Sequence, residues 1–562
     1  MACASDGGAA VADALDAGDA AAAYGSGVRT LTGPVTDLGG VDGLLDGCDD
    51  DLVAVVADGT GVVAAGGRGN HRLFHTTFPE GGSMVSSHLG LLARARGDDL
   101  RVDRSFEDFL LGFGFLPDGR TPFADIRVLG PGTRRRLGEP AVDTVAPPPV
   151  PPAAATPPSF DGAVDELYDR FCAAVEEQAS PDDRHAVLLG GFDSALVAAA
   201  LRRLGHDVHT FTFGFGDRRY EQSGAEEVAG EIGAKHTWVT ITAEKVMEVL
   251  TRFSDVFPQP GPQPHYQVHT LLASQLIREH GFAHVFSGDG CDAAFLGYPM
   301  VNTRARIVQT LKRTPRPAVR AALGVLSTRP ADRYLGHVAR MGRSTLRSLL
   351  LPEPARGHLP TCYLDARALA RVRRDTPPAQ VETPAETRLR LAEDVRDLDP
   401  VRLAFHGMAL TGQSRTKVDG AVATTGVVQR SPFLHPAVRS FVTGLPTEYL
   451  RPPGMPAGAA GKVLLTEMVR RHGLLPIWVI DLPKQSPVDS PIDDWFAGPL
   501  RDDVFHMLDQ LPFAVDRGVV DEMLRPKRAE ELYRERVSLG HQALQAIGLL
   551  CSYAAFTSLA TE

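Results

Sequence analysis

From residue 160 onward, apolar positions alternate between two periodicities. Val164, Leu167, Phe171 and Val175 recur at helical spacing over Phe160 to Gln178. The apolar run from His185 ends at Gly190-Gly191, and Asp193 and Ser194 open an Ala-rich segment reaching Arg203. This reads as strand, tight turn, helix. His209 to Phe213 and Lys235 to Ile241 are predicted strands, with a helix over Ala225 to Ile232 between them. A helix over Thr270 to Glu279 and a short strand over His284 to Ser287 follow. Such alternation predicts an α/β fold with a parallel sheet whose ligand lies at the C-terminal ends of its strands.

The flanking regions differ. Residues 1–25 form a loose lead-in with room for a helix over Ala9 to Ala23. From Val28 to Gly138, short apolar runs such as Leu52 to Ala57 and Gly61 to Ala65 alternate with Gly, Asn and Asp turns. That pattern predicts a strand-rich α+β unit. Seven prolines between Ala146 and Pro158 read as an extended linker. The expected domains are therefore 1–145, a linker at 146–158, and 159–562. Beyond Tyr298 the sequence turns to arginine-rich helical segments, Val301 to Lys312, Ala318 to Leu326 and Leu389 to Val395, with an apolar helix near Gly540 to Phe556.

Length and composition narrow the class. A chain of 562 residues with 43% hydrophobic positions can build two or three cored domains. A formal net charge of −11 argues against a nucleic-acid or anionic-membrane surface. Clusters such as Arg134-Arg135-Arg136 read as solvated. The six cysteines show no CxxC pair, which points to a reducing compartment. No apolar stretch is long enough to span a bilayer, and no secretory leader is recognisable, so a cytoplasmic protein is expected.

The chemistry centres on the turn after the first predicted strand of the second domain. A Gly-Gly pair between strand and helix either merely turns the chain or presents backbone NH groups and a helix N-terminus to an anion. Gly190-Gly191-Phe192-Asp193-Ser194 resembles the Ser-Gly-Gly-X-Asp-Ser pyrophosphate loop of the asparagine synthetase superfamily, with Leu189 in place of the leading Ser. Ser287-Gly288-Asp289-Gly290-Cys291-Asp292, continuing to Phe295, Gly297 and Tyr298, is similar to that family's second conserved loop. A third stretch matches in order: Asp419, Gly426 to Leu434, Lys462-Val-Leu-Leu465, and Leu482-Pro-Lys484. Gly69 to His75, Val85 to Leu91 and Phe123 to Gly132 resemble the later half of the family's glutaminase-like, Ntn-hydrolase-type sandwich domain.

The resemblance implies ATP and Mg2+ as cofactors, with Asp193 and Asp292 as the metal carboxylates. It places ATP and pyrophosphate against Leu189, Gly190, Gly191, Asp193, Ser194, Phe213, Ser287 and Gly288, and puts Lys484 where the family keeps a catalytic lysine. Asp289 occupies the slot of the residue that takes the amine proton, with His406 and His435 as the other options. The family's distant Glu is Val428 here, and the Asp-Glu pair of the second loop is Asp292-Ala293. Glutamine-using members carry Cys as residue 2, whereas this chain has Ala2 followed by Cys3. The expected activity is therefore adenylation of a carboxylate and its coupling to an amine other than glutamine-derived ammonia, as in the β-lactam synthetases and lasso peptide cyclases. The substrate would be a small molecule or peptide bearing a carboxylate and an amine. A homodimer or a biosynthetic partner protein is also compatible with the sequence. An ammonia-fed asparagine synthetase and an inactive scaffold remain the alternative readings.

Overall fold

A computed structural model describes residues 21–24, 29–31, 53–58, 61–65, 73–105, 107–114, 120–129, 133–136, 144–145, 157–179, 184–215, 220–261, 264–351, 363–364, 366–374, 402, 421–422, 424–456, 459–480, 491–524 and 539–561. Its first region is antiparallel. Strands β1 (Ala21–Tyr24), β2 (Arg29–Leu31), β3 (Val53–Asp58), β4 (Gly61–Ala65), β8 (Thr133–Arg136) and β9 (Thr144–Val145) form a sheet in the order β2-β1-β3-β4-β8-β9. Strands β5 (Phe74–Thr77), β6 (Ser83–Ser86) and β7 (Ile126–Val128) make a second sheet with β5 central. Where composition allows a helix up to Ala23, residues 21–24 are instead a strand, because Ala21 to Tyr24 pair with Val53 to Val56 and gain a full ladder of hydrogen bonds. The helices of this region are α1 (Leu89–Arg96) and α2 (Glu107–Phe113).

The second region is built on a five-stranded, fully parallel sheet. Its strands are β10 (Arg184–Leu188), β11 (Asp207–Phe215), β12 (Lys235–Ile241), β13 (His284–Phe286) and β14 (Val428–Arg430), in the order β12-β11-β10-β13-β14. Helix α3 (Phe160–Gln178) begins where the Ser159 hydroxyl accepts from the Gly162 amide at 3.1 Å, and it buries Val164, Leu167, Phe171 and Val175 as its spacing predicts. Helices α4 (Phe192–Arg203), α5 (Tyr220–Ile232) and α6 (Pro264–Glu279) form the crossovers. Helices on both faces bury the apolar positions of the central strands, Ala186, Val187, Val208, Phe211, Val285 and Phe286.

Beyond the sheet lie α7 (Pro299–Leu311), α8 (Arg316–Leu326), α9 (Arg329–Ser348), α10 (Val463–His472) and α11 (Leu539–Thr557). Two large cores result. One joins α3, α4 and α10, with Phe171, Leu196, Phe286, Phe433 and Met468 among its members. The other runs without interruption from Phe74, Leu89 and Phe109 of the first region to Val246 and Phe253, and on to Phe496, Tyr553 and Phe556. Residues 73–129 therefore share a core with the C-terminal helix α11, whatever path the proline-rich segment takes. That segment lies outside the described residues up to position 156, as does the predicted helix over Leu389 to Val395. Among the described residues, no helix is long and apolar enough to cross a membrane.

Candidate active site

The strand order fixes where a site can form. Strands β11 and β12 lie on one side of β10, and β13 and β14 on the other, so the connections leave in opposite directions at β10 and β13. A crevice opens at the C-terminal ends of strands where an α/β sheet reverses in this way. Both sequence-predicted loops emerge there. Residues 189–194 follow β10 and residues 287–298 follow β13, and β10 and β13 are direct neighbours through Ala186 with Val285 and Val187 with Phe286.

The loops pack against one another at backbone distance. A Cβ on Gly288 would lie 2.7 Å from Asp193 Cβ and 2.7 Å from the Ser194 amide nitrogen. Glycine at 288 is thus required by close approach. Gly290 turns the chain with a φ of 85° and starts the short helical turn Cys291–Ala294 that carries Asp292. Asp193 sits in the first turn of α4, at the positive end of its dipole.

The two carboxylates converge on one cation, Lys462. Its Nζ donates to Asp193 Oδ1 at 2.5 Å and Oδ2 at 2.7 Å, and lies 2.7 Å from Asp292 Oδ1. The lysine is held by its backbone. Lys462 has a φ of 66°, its amide donates to the Phe295 carbonyl at 2.7 Å, and the preceding Gly461 amide donates to the Leu296 carbonyl at 2.8 Å. A left-handed conformation in a non-glycine residue is costly, so the surrounding contacts must impose it. Burial works against the Lys462 ammonium, but Cys291, Asp193 and Asp292 outweigh it and its pKa is raised. Burial pushes the Asp193 carboxyl up against the pull of Lys462, with Asp292 adding to the rise. The Cys291 thiol, buried and donating to Asp193 Oδ1 at 3.2 Å, is driven well above its usual range by burial first and Asp193 second. The Tyr298 phenol is likewise raised, by burial first and then by Asp292, Asp289 and Asp193.

Asp289 is anchored rather than free to swing. Its Oδ2 accepts from Ser287 Oγ at 3.0 Å and from Gln429 Nε2 at 2.7 Å, and its carbonyl accepts from Ser431 Oγ at 2.5 Å. Gln429 Nε2 also reaches Ser287 Oγ at 2.7 Å, closing a triangle between β13 and β14. Ser194 Oγ accepts from the Gly190 amide at 2.9 Å and the Gly191 amide at 3.3 Å. Both amides of the turn are thus engaged by the Ser194 hydroxyl at the start of α4.

The remaining predicted residues are distributed as follows. The Leu189 side chain belongs to the core behind the turn, and its carbonyl accepts from Thr212 Oγ1 at 2.7 Å. Phe213 is half-buried on β11, 5.1 Å from the His269 ring. His435 caps the helix Pro436–Gly444 through Nδ1 and faces Glu177 at 3.2 Å through Nε2. Lys484, His406 and Asp419 lie outside the described residues. Two residues of the cluster, Lys462 and Gln429, stand out in the sequence only as members of motif stretches. Gly461, placed directly before a lysine and ahead of an apolar helical pattern, is the available signal for the first.

The parallel sheet, the glycine turn at its switch point and the paired carboxylates define the class: an α/β synthetase-type domain with its centre between two strand ends. The chain belongs to the asparagine synthase family, which it matches over residues 166–554. Proteins of Mycobacterium bovis and Mycobacterium tuberculosis carrying the provisional name asparagine synthetase (glutamine-hydrolyzing) are 27% identical over 454 residues, covering 75% of this chain. The match spans 63% of the length of those relatives. An uncharacterized protein of Methanocaldococcus jannaschii is 34% identical over 90 residues, 16% of this chain and 44% of its own. Among solved structures, NMN synthetase from Francisella tularensis overlaps 24% of this chain and 58% of its own, at 15% identity and a TM-score of 0.19.

Proposed function

We propose that this protein is an ATP-dependent ligase that adenylates a substrate carboxylate and passes the acyl group to an amine, forming an amide with release of AMP and pyrophosphate. The observation that carries this reading is the convergence of Asp193 and Asp292 on Lys462 at the switch point of the sheet. In the first step a carboxylate oxygen attacks the α-phosphorus and the bond to pyrophosphate breaks. In the second, the amine nitrogen attacks the acyl carbon, AMP leaves, and the amine proton passes to a base. Asp289, steadied by Ser287 and Gln429, is the proposed acceptor. On binding, the Gly190 and Gly191 amides would exchange the Ser194 hydroxyl for pyrophosphate oxygens, the Lys462 ammonium adds positive charge there, and Lys484 is assigned the same task.

Asp193 and Asp292 fit a divalent cation such as Mg2+ by donor chemistry, since both are oxygen ligands already gathered about one positive charge. Held between Asp193 and Asp292, such an ion would supply positive charge beside the phosphates. The resemblance to β-lactam synthetases and lasso peptide cyclases favours a role in specialised biosynthesis within the cytoplasm, with a nitrogen donor other than glutamine.

Pyrophosphate release from ATP is the test, measured with panels of carboxylates, with and without glutamine, for the wild type and Asp193→Ala. Release that depends on a carboxylate and is lost in Asp193→Ala is expected. Absence of release with every acid would favour a scaffold, and amide formation that requires glutamine would favour an asparagine synthetase-type amidotransferase.

A further inference from the structure

Residues 301–350, which α7, α8 and α9 almost fill, contain eleven Arg and Lys against one Asp, a net charge of +10. The whole chain carries −11, so everything else sums to −21. Such segregation has a local cost. Arg316 and Arg320 are exposed one turn apart on α8, and Arg313 precedes them by three residues. Like charges one turn apart, such as Arg316 and Arg320, destabilise a helix.

Among the described residues, none of α8 or α9 belongs to either large core. The hairpin they form closes a small core of its own through Val308, Val319, Leu346 and Leu349. Yet large apolar side chains remain outside it: Val325 is 65% exposed and Tyr334 78%, with Ile307 and Leu335 also exposed. These are four of the six exposed large hydrophobic residues among the described residues. Exposed arginines, a tyrosine and aliphatic residues carried on one three-helix unit have the composition of a protein-recognition surface.

Its position ties it to the candidate site. Helix α7 starts at Pro299, directly after Tyr298, and Asn302 Nδ2 donates to the carbonyls of Leu296 and Ala459, both at 3.0 Å. Arg306 lies about 10 Å along α7 from Pro299, at 1.5 Å per residue.

We propose that the α7–α9 surface docks an acidic polypeptide segment of a partner or substrate protein. The net −21 of the rest of the chain would repel such a segment on average, so charge both attracts the partner and favours this region. Tyr334, Val325 and Leu335 give it apolar contacts. Helix α7 connects that surface to the loop that carries Asp292.

The test uses the full chain and a fluorescein-labelled peptide of alternating Glu and Gly, with a Gln-Gly peptide as the neutral control, read by anisotropy at low and physiological salt. The acidic peptide is expected to bind at least about tenfold more tightly than the neutral one and to weaken with salt. Arg313→Glu/Arg316→Glu/Arg320→Glu should lose about tenfold in affinity, and the milder triple Gln variant should weaken binding in the same direction. Lys235→Glu, at the opposite end of the sheet, should bind as wild type does. Equal binding of both peptides, or undiminished binding by a folded triple variant, would overturn the proposal. So would tighter binding to equimolar phosphatidylglycerol–phosphatidylcholine vesicles or to a DNA duplex, which would assign the patch to another class of partner. Pyrophosphate release measured alongside reads the site separately, so failure of docking and failure of the ligase reading are distinguishable.

Discussion

Replacing Lys462 by Met tests the central cluster most directly. Methionine keeps most of the side-chain volume, so the change removes charge with little cavity. The ammonium is within 2.7 Å of both carboxylates, and the three side chains are 12%, 20% and 15% exposed. Their removal from water is therefore substantial but incomplete. Breaking a fully buried ion pair from one side costs roughly 3–5 kcal/mol, and the residual exposure places Lys462→Met near the lower end, about 3 kcal/mol. The cost arises because Asp193 and Asp292 are left facing each other without a cation. Asp292→Asn in the same chain relieves that repulsion, so the double variant should be less destabilised than the sum of the singles by more than about 1 kcal/mol. Urea unfolding at neutral pH measures all four proteins, and midpoints should shift without a change in slope. Added Mg2+ should stabilise Lys462→Met more than the wild type, because the vacated place lies between two oxygen ligands. Additivity within about 0.5 kcal/mol would show that the three groups do not act as a unit, and the reasoning would fail.

Other consequences are equally open to measurement. Burial lowers the pKa of His88 to about 4 and of His269 to about 3, so both are neutral in the folded chain. The unfolded chain takes up these protons near pH 6.5, so stability held above that pH is lost as pH falls toward 4, by up to about 1.4 kcal/mol per unit for each group. Denaturant midpoints across that window should show the loss, and His269→Gln should reduce the slope. A Cβ on Gly297 would overlap the Asp292 carboxylate and Lys462 Cε; Gly297→Ala should cost about 1–3 kcal/mol as an overpacked site and abolish pyrophosphate release. Arg373 is buried and pairs with Glu107 and Asp108, while Tyr553 donates to Glu107 at 3.0 Å. Arg373→Leu should destabilise by about 3 kcal/mol, the lower end for a buried pair broken from one side, because buried Glu107 keeps only the half-exposed Arg104 at 3.3 Å and the Tyr553 hydroxyl, and limited proteolysis should then release the first region from α11.

Local pattern alone determined many of the elements. Periodicity drew α3 at Phe160–Gln178 and β12 at Lys235–Ile241 with the bounds they have in the fold, because each buries one apolar face or run and ends at a cap or turn. The glycine turn and the Asp292 loop were legible for the same reason, since a strand-to-helix turn is a local event. Short β14 was not: three half-buried residues become a strand only because β13 offers an edge to pair with. Partnership over distance was hidden as well. Nothing near Asp193 in sequence says that its cation comes from 269 residues away, or that Gln429 crosses from β14 to hold Asp289. Nor does the chain's first region, read alone, reveal that its core continues into α11. The sequence determined that there would be a parallel sheet with charged loops at its strand ends. Tertiary structure decided which charges meet, because strand order, and not chain order, sets which loops are neighbours.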